Sequence, residues 1–123
     1  MKSIYNKSKK RNKYGNIKIT VGKKVYDSKA EYKYIKELEL KQKAGYISDL
    51  KTKPRYILLE SFKDNQNNTI RQISYKPEAY YIENGQETVL EVKSKPTKTE
   101  AYIIRKKLFL KRYPHIKFIE ITT

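Results

Sequence analysis

The spacing of apolar positions changes several times along the chain, and each change marks an element. Ile17, Ile19 and Val21 alternate with Lys18 and Thr20, Gly22-Lys23 reads as a turn, and Val25-Tyr26 resume the pattern, which predicts a small hairpin. From Ser28 to Ala44 the spacing becomes helical. Ser28-Lys29-Ala30-Glu31 matches a capping box, and Gly45 supplies the stop. Ile35 and Leu38 follow Glu31 at four and seven residues, so Glu31 faces the core side of this helix.

A short strand is expected from Ile47 to Leu50 and a β-rich run from Arg55 to Phe62, followed by a loop from Lys63 to Thr69 that contains Asp64-Asn65-Gln66-Asn67-Asn68. Ile70 to Ile82 is a long extended run interrupted by Pro77. Asn84-Gly85 is the strongest hairpin signal in the chain, and Thr88 to Lys93 is the return strand. A loop from Ser94 to Thr99 leads into a second helix, Glu100 to Tyr113, with Ala101, Ile104 and Leu108 on one stripe. Pro114 ends it, and Ile116 to Ile121 closes as a strand. Helix, several strands, helix and strand in that order predict a mixed sheet flanked by helices, in the α/β (α+β) class. The chain divides into a basic arm over residues 1–13, expected to be disordered in isolation, and a single domain over 14–123.

Charge changes this picture most. Lys and Arg total 29 against 13 Asp and Glu, a net charge of +16 on 123 residues, which calls for a polyanionic partner. DNA or RNA fits best, because each phosphate neutralised releases condensed counterions. No apolar run approaches a membrane span, so no membrane partner is expected, and without an apolar leader a cytoplasmic location is expected. With no cysteine, disulfides and thiolate zinc sites are excluded. The lone His115 follows Tyr113-Pro114 and reads as a turn residue. The twelve tyrosines offer stacking surface, but most are expected in the core.

Candidate chemistry lies in the hairpin. If Asn84-Gly85 is a two-residue type I′ turn, Glu83 pairs with Gln86 and Glu78 comes to lie opposite Glu91. Like charges directly opposed are destabilising unless a cation sits between them. Alternation places Lys93 on the Glu91 face, with Leu90 and Val92 turned into a core. Carboxylates suit a hard divalent ion, and a neighbouring lysine can orient water or stabilise charge developing on a phosphate. Each residue also has a plainer role. Glu31 is a sufficient capping-box carboxylate, Glu91-Val92-Lys93 can be a solvated strand face, and Glu78 has many basic residues to pair with.

Glu31 on a first helix, Pro77-Glu78, and Glu91-Val92-Lys93 on the next strand together resemble the PD-(D/E)XK nuclease superfamily, whose restriction-endonuclease-like core runs α-β-β-β-α-β. Lys13-Tyr14-Gly15-Asn16, Tyr26-Asp27-Ser28-Lys29-Ala30-Glu31, Tyr75-Lys76-Pro77-Glu78, Glu91-Val92-Lys93-Ser94 and Arg105-Lys106-Lys107-Leu108-Phe109 look like a family of small phage-encoded proteins assigned to that superfamily. The resemblance implies a DNA endonuclease dependent on Mg2+, with Mn2+ as an alternative ion. Glu31, Glu78 and Glu91 would be the metal ligands and Lys93 the fourth catalytic residue. It also implies branched or junction DNA as substrate, in phage recombination or replication, and a homodimer as the acting form.

DNA contacts are expected from Lys9, Lys10, Arg11 and Lys13 in the arm, from Lys95 and Lys98 after the return strand, and from Arg105, Lys106 and Lys107 on the second helix. Nothing suggests base-specific readout, so backbone and shape recognition is expected. Glu78 stands where the superfamily favours Asp, one methylene shorter. A second reading follows: a basic DNA-binding or inhibitor module that keeps the fold without the chemistry. A third, a ribosomal-type RNA-binding protein, uses the charge and none of the acids.

Overall fold

Good helix formers carry the chain through α1, Lys29–Lys43, in the computed structural model, which describes residues 19–21, 24–26 and 29–123. The basic arm with Lys9, Lys10, Arg11 and Lys13, the Gly22-Lys23 turn and Ser28 of the capping box lie outside the described residues. Helix α1 stops where expected. Gly45 turns to φ +88°, its N–H donates to the Gln42 carbonyl (3.0 Å), and the Tyr46 N–H donates to the Lys41 carbonyl (2.9 Å). That is a Schellman cap, and glycine takes the left-handed position at no steric cost. The Gln42 side chain then accepts the Leu50 N–H at 2.9 Å, tying the helix to the next strand.

The hairpin expected ahead of α1 is formed by β1 (Ile19–Val21) and β2 (Lys24–Tyr26). After α1 come β3 (Ser48–Thr52), β4 (Tyr56–Leu59), β5 (Phe62–Lys63), β6 (Thr69–Ile70), β7 (Ile73–Tyr75), β8 (Ala79–Glu83), β9 (Gln86–Lys93), helix α2 (Glu100–Arg112) and β10 (Lys117–Thr122). The main sheet has the order β10-β9-β8-β3, with β9 and β10 parallel and the other pairs antiparallel. Strands β4 and β7 pair separately, as do β5 and β6. The result is a mixed α+β fold. The loop expected over Lys63 to Thr69 closes to a tight connection between β5 and β6, where the Asp64 carboxylate accepts the Gln66 and Asn68 N–H groups at 2.9 and 2.8 Å.

Strand alternation sorts the core into two clusters. Ala79, Tyr81, Leu90 and Val92 pack with Ile35 and Leu38 of α1. Tyr80 and Val89 pack with Tyr75, Tyr102, Phe109 and Ile116. Phe109 is the hub of the second cluster, edge-on to Tyr56 and Tyr75 at 5.1 and 5.7 Å between centroids.

The stripe expected on α2 is corrected. Ala101, Ile104 (51 % exposed) and Leu108 (37 %) face outward, and Tyr102 and Phe109 are the buried residues. The aromatic side chains bury more area than Ile or Leu, and Lys106 lies over the Phe118 ring at the edge of the cluster, 5.2 Å from its centre.

Candidate active site

The register of the β8–β9 hairpin is the one that the two-residue turn requires. Asn84 and Gly85 both have positive φ (52° and 77°), Glu83 pairs with Gln86, and the pairing runs without interruption to Ala79 and Leu90. Pro77 is buried and sits outside the paired residues, so it introduces no bulge here. The irregularity lies instead in β3, between Ser48 and Lys51, where Asp49 has φ +56°. Continuing the β8–β9 register by one pair sets Glu78 opposite Glu91. Both are buried, at 5 % and 4 % exposure.

Glu31 reaches the same place from the first turn of α1. Its carboxyl is close enough to that of Glu78 for the two to repel as charges and to share a hydrogen bond when one is protonated. Two carboxyl groups can share such a bond only when a proton sits between them. Burial first, and then the Glu31 carboxyl, hold the Glu78 pKa well above the usual carboxylate range. Lys53 opposes the shift, and the charge of Glu91 adds to it. Burial also raises Glu91, against the Tyr75 hydroxyl, Lys93 and the Val92 N–H, which favour its ionised form. At Glu78 and Glu91, therefore, burial outweighs the nearby charges of Lys53 and Lys93, and half-buried Glu31 adds repulsion to both.

Three further groups hold the site in shape. The Tyr75 hydroxyl donates to Glu91 Oε1, and the Val92 N–H donates to Oε2 at 3.2 Å. The Lys53 N–H donates to the Glu78 carbonyl at 2.9 Å, from a backbone held at φ +49°. Lys93 is half-buried, with its ammonium 4.7 Å from the centre of the Tyr102 ring. Tyr75, Tyr102 and Lys53 were not legible as site residues. They come from other elements, and only packing brings them to the hairpin. A tyrosine two residues ahead of Pro77-Glu78 was the one local signal.

Oxygen donors of this kind suit a hard divalent ion such as Mg2+. As the side chains stand, no group of three His, Cys, Asp or Glu residues among the described residues is placed to hold a metal ion. Glu31 and Glu78 lie within reach of each other, and Glu91 is bonded to Tyr75. The donor set fits the ion by chemistry, provided that the shared proton is released.

The expected DNA contacts divide into two groups. Lys95 and Lys107 are exposed. Lys98 and Lys106 both pair with Glu120, at 2.9 and 3.0 Å, and Lys98 also donates to Thr122 Oγ1 at 2.7 Å. Arg105 Nε donates to the Ser74 carbonyl at 3.0 Å, joining α2 to β7. Among the described residues, no helix is long and apolar enough to cross a membrane.

One family model, described as a protein of unknown function (DUF1064), matches residues 11–123. No curated protein and no solved structure matches the chain.

Proposed function

The chain belongs to the DUF1064 family of proteins of unknown function, and from the acidic site at the end of its main sheet we propose that it is a metal-dependent DNA endonuclease. The observation that carries this reading is the placement of buried Glu78 and Glu91 opposite each other, both with raised pKa, with half-buried Glu31 acting on both and Lys93 acting on Glu91. A fold does not bury two facing carboxyls for stability, because each raised pKa is a cost to folding at neutral pH. The order α1, β3, β8, β9, α2, β10 supports a restriction-endonuclease-like core and membership of the PD-(D/E)XK nucleases.

In this reading Glu31, Glu78 and Glu91 would hold Mg2+, or Mn2+ in its place. When bound, the ion supplies Lewis acidity at a phosphoryl oxygen and a more acidic water. Lys93 holds positive charge where negative charge develops on the phosphate and orients the attacking water. Tyr75 fixes one Glu91 oxygen and leaves that carboxylate no freedom to turn away. The net charge of +16 draws the polyanion in, and branched DNA is the substrate class to test first.

The test is incubation of the purified chain with supercoiled plasmid and with a four-way junction, in Mg2+, Mn2+ or EDTA. Nicking that requires the ion and falls about 100-fold or more in Lys93→Ala is expected. Cleavage that survives both EDTA and Lys93→Ala overturns the reading. A second reading, a DNA-binding or inhibitor module without chemistry, is favoured by one observation: the Tyr75 hydroxyl and the Val92 N–H occupy the two Glu91 oxygens internally. Tight, salt-sensitive DNA binding with no turnover in any metal would select it.

A further inference from the structure

Lysine is a flexible four-carbon stem with a point charge at its end, and a catalytic lysine must be held in place. The backbone of Lys93 is already held. The residue pairs with Thr122, and its carbonyl accepts the Thr123 N–H at 2.9 Å. Its side chain has no acidic partner at ion-pair distance among those seen, and its ammonium instead lies over the face of Tyr102. An aromatic face attracts a cation through its quadrupole, most strongly where water is scarce.

Tyr102 is itself fastened at both ends. Its N–H donates to the Thr99 hydroxyl that caps α2, at 3.2 Å. Its hydroxyl donates to Glu120 Oε1 at 2.5 Å. Glu120 is anchored in turn by Lys98 and Lys106 at 2.9 and 3.0 Å. The connection between Lys93 and α2 is stiffened by Ser94 and Thr97, each bonded to the other's backbone or side chain at 2.8–3.1 Å. Glu120 is also the Cα partner of Glu91 across the parallel strands, so the anchor and the acid stand on adjacent strands.

We infer that Tyr102 is the positioning residue for Lys93: its ring holds the ammonium near Glu91, and the ring is held in place by its packing in the aromatic cluster beside Tyr75. The inference rests on the nuclease reading for its catalytic consequence, and on geometry alone for the contact. It places the positive charge of Lys93 at the site before any substrate arrives, so that no side-chain ordering is left for the reaction step. Lys98 and Lys106, two residues expected to grip DNA, are engaged with Glu120 instead.

The contact is read in the metal-free protein by NMR of the lysine ε-methylenes. A methylene over a ring face is shifted upfield, so the Lys93 signal is expected upfield of exposed Lys107, unchanged in Tyr102→Phe and lost in Tyr102→Leu. A Lys93 signal coincident with that of Lys107 in the wild type overturns the inference, and needs no variant to fold. In steady-state cleavage, Tyr102→Leu is expected to lower kcat about 10–100-fold with KM for DNA unchanged, while Tyr102→Phe stays within a few-fold of the wild type. A folded Tyr102→Leu protein with wild-type kcat also overturns it. If the wild type cleaves nothing in either metal, the nuclease reading falls and the NMR shift still decides whether Tyr102 holds Lys93.

Discussion

Glu91 and Glu120 are partners across two parallel strands, on one face of one sheet, and the fold holds them in opposite conditions. Glu120 receives the Tyr102 hydroxyl and two lysines, and these bonds hold its pKa down to about 2. Glu91 receives a tyrosine hydroxyl and a backbone N–H, but it is buried and shares its surroundings with Glu31 and Glu78, and its pKa is raised. Neighbours of one residue type in one sheet thus do different work. Glu120 is a joint that binds α2 to β10. The Glu31, Glu78 and Glu91 group is under electrostatic strain that a cation would relieve, and strain of that kind marks sites kept for function.

Neutralising one member of each group gives the largest difference. Glu120→Gln keeps an acceptor for Tyr102 but removes the charge from two ion pairs, and an expected loss of about 1–2 kcal/mol in urea unfolding follows. Glu78→Gln keeps a polar group of the same size beside Glu31 and removes the repulsion. A gain of about 1 kcal/mol at mildly alkaline pH without metal is expected, together with loss of cleavage. Two variants shifting stability in the same direction would break the contrast between joint and site.

Acidity sharpens the same contrast with a smaller effect. Folding raises the Glu78 pKa from 4.5 to about 8, so the folded chain binds more protons than the unfolded one across that interval. Stability from this group is fully present below the ordinary value and is lost as pH rises through the raised one. Glu120 has the opposite sign. Its contribution is present above 4.5 and is lost as pH falls toward about 2. In EDTA the melting temperature is expected to fall between about pH 5 and pH 8, and saturating Mg2+ is expected to remove the fall, since an ion that binds only the folded state stabilises it. A melting temperature flat over that range in EDTA would argue against the shared proton.

What was legible in the sequence follows from how local the determining physics is. Asn84-Gly85 fixes a two-residue turn, the turn fixes the register, and the register sets Glu78 opposite Glu91. The Gly45 stop of α1 is equally local. The inward face of α2 was not legible. Its sequence carries two overlapping stripes, Ala101-Ile104-Leu108 and Tyr102-Phe109, and the choice between them depends on Tyr56 and Tyr75 arriving from elsewhere to enclose Phe109. For the same reason Tyr75, Tyr102 and Lys53 could not be assigned to the site from spacing. The charge on Lys98, Arg105 and Lys106 was plain in the sequence, but their engagement with Glu120 and Ser74 was not.

That engagement separates two adjacent lysines and gives the smallest expected effect. Lys106 pairs with Glu120, and its ammonium lies 5.2 Å from the centre of the Phe118 ring, so its charge is spent within the fold. Lys107, next along the helix, is exposed. If Lys107 contacts a DNA phosphate, Lys107→Ala removes one counterion release. DNA affinity is then expected to fall by a few-fold, alike for every sequence, and the dependence of log K on log salt to become shallower by about 0.9. Lys106→Ala is expected to lower the melting temperature and leave that slope nearly unchanged. Fluorescence anisotropy over a salt series measures both slopes. A reversed result would mean that Lys106 releases Glu120 when DNA binds, making the joint part of the DNA surface and coupling the Tyr102 anchor to the substrate.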